Sequence, residues 1–244
     1  MSLLEIQNLH FRLSGTSPWI LRQCELMVEA GDFIILLGTN GSGKSTLLKL
    51  IQQHYKPHQG RLALLDQPYQ AYSSQVLNQM IKLLNQNCDH SLFTNLTIFE
   101  NYLILNKQNF FSWNQRIKRA SLKEYLSFFS AALGSKLDCQ VAGLSGGQKQ
   151  VLALAWTLLK PPKLLLLDEH TSALDPKSAA NIMQLTQTKL IEHDITCILT
   201  THDLDIALQY GNRLAIMHAG KISYLFNRDD KKQLTKNQLL DYYI

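Results

Sequence analysis

The chain has 244 residues, 45% of them hydrophobic, and a formal net charge of +5. That apolar content suits one α/β domain able to bury a core unaided, and the four scattered cysteines (Cys24, Cys88, Cys139, Cys197) lack the spacing of a disulfide framework or a zinc module. The basic residues are spread out, with short clusters only at Arg116-Ile117-Lys118-Arg119 and Lys231-Lys232, which describes a solvated surface and argues against a nucleic-acid partner. No apolar run approaches the ~20 residues of a membrane span, and no basic stretch leads into an apolar one near Met1. A cytosolic or membrane-peripheral protein is expected.

In chain order, Leu4, Ile6 and, less regularly, Leu9 and Phe11 alternate with polar residues, as do Leu26 and Val28. This predicts strands of a half-exposed antiparallel sheet, turned at Gly15-Thr16-Ser17-Pro18. Phe33 to Leu37 is a continuous apolar run, as a buried parallel strand requires. It leads into Gly38-Thr39-Asn40-Gly41-Ser42-Gly43-Lys44-Ser45, with Thr46 opening a helix. Strand, G-x-x-x-x-G-K-S and helix together form a phosphate-binding loop. Its glycines let backbone N–H groups curl round a di- or triphosphate, and the helix end adds partial positive charge. Lys44 would reach the β/γ-phosphates and Ser45 would offer a hydroxyl to Mg2+.

Pro57 to Gly60 reads as a turn, Arg61 to Leu65 as a strand, and Ile81 to Asn85 as another that brings Gln86 to the sheet edge. From Cys88 to Val141 helical spacing takes over, with Leu96, Phe99, Leu103 and Leu105 on one segment and Ile117, Leu122, Leu126 and Phe129 on a second. Ser145 is placed to cap a helix that runs toward Leu159 and stops at Pro161-Pro162. Leu164 to Leu167 is a buried strand ending in Asp168, followed by Glu169, at the strand edge where open α/β sheets bind ligands. Asp168 would hold Mg2+ and Glu169 would polarise the attacking water. Ile195 to Thr200, a short strand over Leu214 to Met217 and a polar helical tail after Asp229 complete the pattern.

Gly38 to Thr46, Gln86, Leu144-Ser145-Gly146-Gly147-Gln148, Leu164 to Glu169, Ser172-Ala173-Leu174-Asp175 and His202 together resemble the ATPase subunits of ABC transporters in order and spacing. The resemblance covers nearly the whole chain. It implies an α/β fold with a P-loop NTPase core, a mostly parallel sheet, an N-terminal antiparallel β subdomain and an inserted helical subdomain. Residues 1–87 and 161–244 would form the RecA-like core with the β subdomain, and about 88–160 the helical part with the signature segment. It implies ATP and Mg2+ as ligands, with Ser45, Asp168 and Gln86 toward the metal. Glu169, His202 and Gln86 would serve hydrolysis. Two subunits would face head to tail, each signature segment (Leu144 to Gln148) completing the other's site, with Ser172 to Asp175 crossing the interface. Transmembrane permease subunits would be driven from the cytoplasmic face. A soluble ATPase of cofactor-assembly type is the alternative reading.

Three departures stand out. His170 occupies the place of a usual proline, and Gln150-Val151-Leu152 lacks a frequent arginine. Both are similar to an importer-type bacterial branch with a soluble binding protein and aromatic amino acids among its proposed cargoes. The aromatic ring that usually stacks on adenine aligns with Leu13, leaving Phe11 and Trp19 nearby as substitutes.

Overall fold

The computed structural model describes residues 2–106 and 115–243. Its N-terminal strands β1 (Ser2–Phe11) and β2 (Leu21–Glu29) pair antiparallel. Leu4, Ile6, Leu9 and Phe11 are all buried, although a strict two-residue period would turn Ile6 and Leu9 to opposite faces. Asn8 resolves the conflict: its φ of 48° marks a bulge that shifts the register between Ile6 and Leu9. The irregular alternation in the sequence is that bulge.

The fully buried strand β3 (Phe33–Leu37) feeds the phosphate loop, and α1 (Lys44–Ile51) follows. Strand β4 (Gln59–Leu64) pairs with β1, then turns through Leu65 and Asp66, at φ 50° and 60°, into β5 (Gln67–Pro68). A two-residue loop with both φ positive matches the right-handed twist of its strands. These four strands form one sheet in the order β2-β1-β4-β5. Ser73 caps α2 (Ser74–Met80), which runs directly into β6 (Ile81–Leu84).

The expected helical region contains α3 (Ile98–Leu105), α4 (Gln115–Ser127), α5 (Ala131–Gly134) and α6 (Gly146–Leu158). Leu103, Leu122 and Leu126 face inward as their spacing predicts, whereas Leu105 is exposed at the last residue of α3. The side chain of Ile117 lies outside the described residues. A capping box between Thr97 and Glu100 starts α3. One turn later the fully buried Asn101 accepts from Phe93 N at 2.8 Å and donates to Phe93 O at 3.0 Å and Thr97 O at 2.9 Å. That single amide fixes the loop ahead of the helix.

Next come β7 (Leu164–Asp168), α7 (Pro176–Glu192), β8 (Thr196–Thr201), α8 (Leu204–Gln209) and β9 (Arg213–His218). The expected lone strand at Leu214 is half of a hairpin, which returns through Ala219 and Gly220 as β10 (Lys221–Phe226). The tail is two short helices, α9 (Arg228–Gln233) and α10 (Lys236–Tyr243). The second sheet has the order β10-β9-β3-β8-β7-β6, with β9, β3, β8 and β7 mutually parallel and β10 antiparallel to β9.

The chain divides into two units. One comprises Met1–Leu83, Pro162–Glu169 and Lys189–Ile244, and the other Leu84–Pro161 and His170–Thr188. Cys24, Cys88 and Cys197 are buried while Cys139 is exposed. Burial pushes the Cys24 thiol up to about 12 and raises Cys197 as well. Among the described residues no helix is long and apolar enough to cross a membrane.

Candidate functional site

In the first unit the loop Gly38–Thr46 leaves the C-terminal end of β3, flanked by the ends of β8 and β9. Gly38 N donates to Thr201 O at 3.3 Å, and a Cβ on Gly38 would stand 2.5 Å from Met217 O. Only glycine fits that gap. Gly43, at φ 109°, turns the chain into α1, whose first-turn N–H groups open toward the loop. The Lys44 side chain, only 4% exposed, lies inside its own loop and donates to Gly38 O at 2.8 Å and Thr39 O at 3.1 Å. Ser42 Oγ is buried without a hydrogen-bond partner.

The strand order carries β7 to the far side of β8, and Thr200 of β8 bridges the gap. Its hydroxyl donates to Asp168 Oδ1 at 2.7 Å, while Ser45 Oγ donates to the same oxygen at 2.9 Å. Glu169 N donates to Thr200 O at 3.2 Å and lies 3.1 Å from Thr200 Oγ1. Glu169 adopts φ 45°, a left-handed conformation that a glutamate holds only when its surroundings impose it. Its carboxylate sits between Lys44 and His202: Lys44 Nζ is 3.5 Å from Oε1 and His202 Nδ1 is 3.2 Å from Oε2. His202 follows β8 and is half exposed. The loop residues, Lys44, Ser45, Asp168, Glu169 and His202 therefore converge on one sheet edge.

Gln86, the signature segment and Ser172 to Asp175 belong to the second unit. Gln86 Nε2 donates to Ser172 Oγ at 3.0 Å. Ser145 caps α6 through a capping box, in which Gln148 N donates to Ser145 Oγ and Ser145 N donates to Gln148 Oε1, both at 3.3 Å. Lys136 Nζ donates to the same Gln148 oxygen at 3.3 Å. Gly146 and Gly147 form the first turn of α6, and Leu174 approaches to 3.6 Å of the position a Cβ on Gly146 would take. Asp175 accepts from Ser178 N at 3.1 Å ahead of Pro176, the first residue of α7. Its hydrogen bonds with Ser178 hold its carboxyl below the usual range. His170 is fully buried and desolvation lowers its imidazole to about 4, so it is neutral at physiological pH.

Residues 21–172 match the family pattern described as ABC transporter. The chain is 34% identical over 247 residues to a tyrosine transport ATP-binding protein of Clostridioides difficile, across 99% of this chain and 98% of that protein. The chain belongs to the ABC transporter family. This ABC subunit is also 31% identical to the phosphonates import ATP-binding protein PhnC of Chromohalobacter salexigens, over 91% of this chain and 83% of that one. Among solved structures, CbiO1 of Clostridium perfringens, part of the ABC transporter complex CbiONQ, superposes with a TM-score of 0.82 and 26% identity, covering 99% of this chain and 94% of its own. A dimeric ATP-binding cassette bound to ADP and Pi after hydrolysis gives 0.74 at 27% identity, over 93% and 99% of the two chains. The fold is the P-loop ATPase fold, and the ABC subunit is an ATPase with ATP and Mg2+ as its ligands.

The residues present fit those ligands. Ser45 and Asp168 offer a hydroxyl and a carboxylate 2.9 Å apart, the sparse hard-oxygen set that suits Mg2+ when phosphates and water complete its shell. Ser42 Oγ, buried and unpartnered, is a polar atom that a phosphate oxygen would satisfy.

Thr200 escaped the sequence reading. The signal was there: an apolar strand, Ile198-Leu199, ends in two hydroxyl residues immediately before His202. Of the three candidates for the base, Leu13 is exposed, and Phe11 is buried and stacked on Tyr55 with centroids 5.1 Å apart. Trp19 carries the Arg12 guanidinium 4.5 Å above its ring.

Proposed function

We propose that this ATPase powers a membrane importer of a small solute, an amino acid being the favoured class. The observation that carries the enzymatic half is the convergence of Lys44, Ser45, Asp168, Glu169 and His202 on one sheet edge. The tyrosine transport relative, aligned over nearly the full length of both chains, supports import and the solute class.

In this reading the loop N–H groups and Lys44 hold the β- and γ-phosphates and neutralise charge that grows during transfer. Mg2+ at Ser45 and Asp168 would supply further charge neutralisation on the phosphate oxygens. Thr200 holds the Asp168 carboxylate in place. Glu169 orients water toward the γ-phosphate and draws on its proton, while His202 donates toward the phosphoryl oxygens. Gln86 serves the metal or the attacking water and reports on the permease.

Two subunits would pair head to tail, with Ser145 and the N–H groups of Gly146 and Gly147 presented to the partner's triphosphate. Ser172 to Asp175 would cross that interface. Residues 88–106 would receive the permease, keeping the ABC subunit at the cytoplasmic face of the membrane, and a soluble binding protein would deliver the solute. ATP would favour the closed pair because it binds that state more tightly than the open one.

Glu169→Gln tests the chemistry. It should lower ATP turnover by at least about 100-fold while ATP still binds and drives dimer formation, read by phosphate release and light scattering. Wild-type turnover in Glu169→Gln would overturn the assignment. Recovery of a hydrophobic permease from membrane extracts tests the transport half, and recovery of a soluble scaffold in its place would defeat it.

A further inference from the structure

Gln150 is a polar residue on the buried face of α6. It is 3% exposed, and its companions Leu152, Ala153, Leu154, Ala155 and Trp156 are apolar. An apolar residue of similar size would fill the same space without a polar group to satisfy, and a buried amide is tolerated only with a partner. The partner is specific: Gln150 Nε2 donates to the main-chain carbonyl of His170, the residue directly after Glu169. The His170 ring makes no stronger claim on that position. Its Nε2 is 3.4 Å from Thr186 Oγ1, and its buried Nδ1 has no hydrogen-bond partner.

We propose that Gln150 is a positioning residue for hydrolysis, fixing the His170 carbonyl and through it the carboxylate of Glu169. The inference rests on the proposed function, which makes Glu169 the residue that orients water. The Glu169 backbone is strained at φ 45° and held on its N-terminal side by Thr200, which takes its N–H. A strained residue keeps its conformation only when its surroundings over-determine it, and the Gln150 carboxamide adds a hold on the C-terminal side, at the carbonyl of the next residue.

The placement of Gln150 on α6 gives this hold a further consequence. The helix begins at the Ser145 cap, little more than one turn before Gln150. A helix moves as a rigid element over that distance, so a displacement of its first turn reaches the His170 carbonyl, one residue after Glu169, through one hydrogen bond. Engagement of the partner's nucleotide at Ser145 would then set the hydrolytic geometry of the subunit that carries α6.

The test is Gln150→Met in the full chain, which keeps volume and removes the donor. A misplacement of about 1 Å in a reacting group costs ~100-fold. The expected result is a fall of about ten- to a hundredfold in kcat, with KM for ATP within about threefold of wild type and undiminished ATP-driven dimerisation of the Glu169→Gln/Gln150→Met double variant. A merely structural role would lower the melting temperature and leave kcat per folded molecule unchanged. Unchanged kcat, or a rise confined to KM, overturns the proposal. If Gln150→Met does not fold, Gln150→Asn, which withdraws the amide by one methylene, is read by the same criteria. A wild-type chain without hydrolysis would instead defeat the functional reading beneath the proposal.

Discussion

With Phe11 and Leu13 placed, we propose Trp19 as the stacking surface for the nucleotide base, on the ring face that Arg12 does not cover. Phe11 is committed to the core against Tyr55, and Leu13 is an exposed aliphatic side chain. Ile20, the next residue, lies against the phosphate loop, with its carbonyl 3.2 Å from where a Cβ on Gly43 would stand. Stacking of a base contributes on the order of 1–3 kcal/mol. Trp19→Ala should therefore raise the ATP dissociation constant about ten- to a hundredfold with little change in kcat, measured by nucleotide titration and steady-state hydrolysis. Unaltered affinity would remove Trp19 from the site. At this scale the sequence was most readable where chemistry is written in contiguous residues. Gly38 to Thr46 and Asp168-Glu169 could be named because strand, loop and helix follow one another along the chain. Thr200 and Gln150 could not, because each acts through a partner far away in sequence, and only the folded register brings Thr200 beside Asp168.

Among the elements, the small helix α9 shows how a buried charge can serve structure. Lys231 donates to the carbonyls of Tyr210 and Gly211, which follow α8, and so satisfies acceptors that a helix end leaves open. Desolvation lowers its ammonium from 10.5 to about 8. Between those values the unfolded chain binds the proton more fully than the folded one. The cost of the buried charge is thus fully present below pH 8 and is relieved as pH rises toward 10.5. Wild type should gain stability relative to Lys231→Met between pH 7.5 and 9.5, by on the order of 1–3 kcal/mol, followed by denaturant unfolding at both pH values. Parallel pH profiles of the two proteins would show that Lys231 keeps an ordinary pKa. Strands with buried faces, β3, β7 and β8, were legible from their apolar runs. The hairpin limb β10 was missed because most of it is exposed. The Asn8 bulge blurred β1 for a different reason, since one extra residue breaks the two-residue period on which strand reading depends.

At the scale of the molecule, the phosphate loop with Glu169 and the signature turn with Gln86 fall into different units of one chain. The head-to-tail proposal makes each active site the joint product of two chains, and this has a genetic consequence. Lys44→Ala should disable one half of every site and Ser145→Arg the other half. In a mixed pair, one of the two sites combines the intact loop of the second variant with the intact signature of the first. Mixing the two inactive proteins should restore ATP hydrolysis that neither shows alone, and mixtures as silent as their components would contradict the shared site. Such pairing enters only through likeness to a family, because nothing in one sequence says that a second copy completes the site.

The uneven exposure of the thiols offers a practical handle on this assembly. With Cys24, Cys88 and Cys197 shielded, Cys139 is the natural attachment point for a maleimide fluorophore on the unmodified chain. It lies on the stretch whose carbonyl receives Ile98 N, so a dye there would sit beside the start of α3. Labelled and unlabelled subunits could then be mixed and their exchange watched in real time as nucleotide is added.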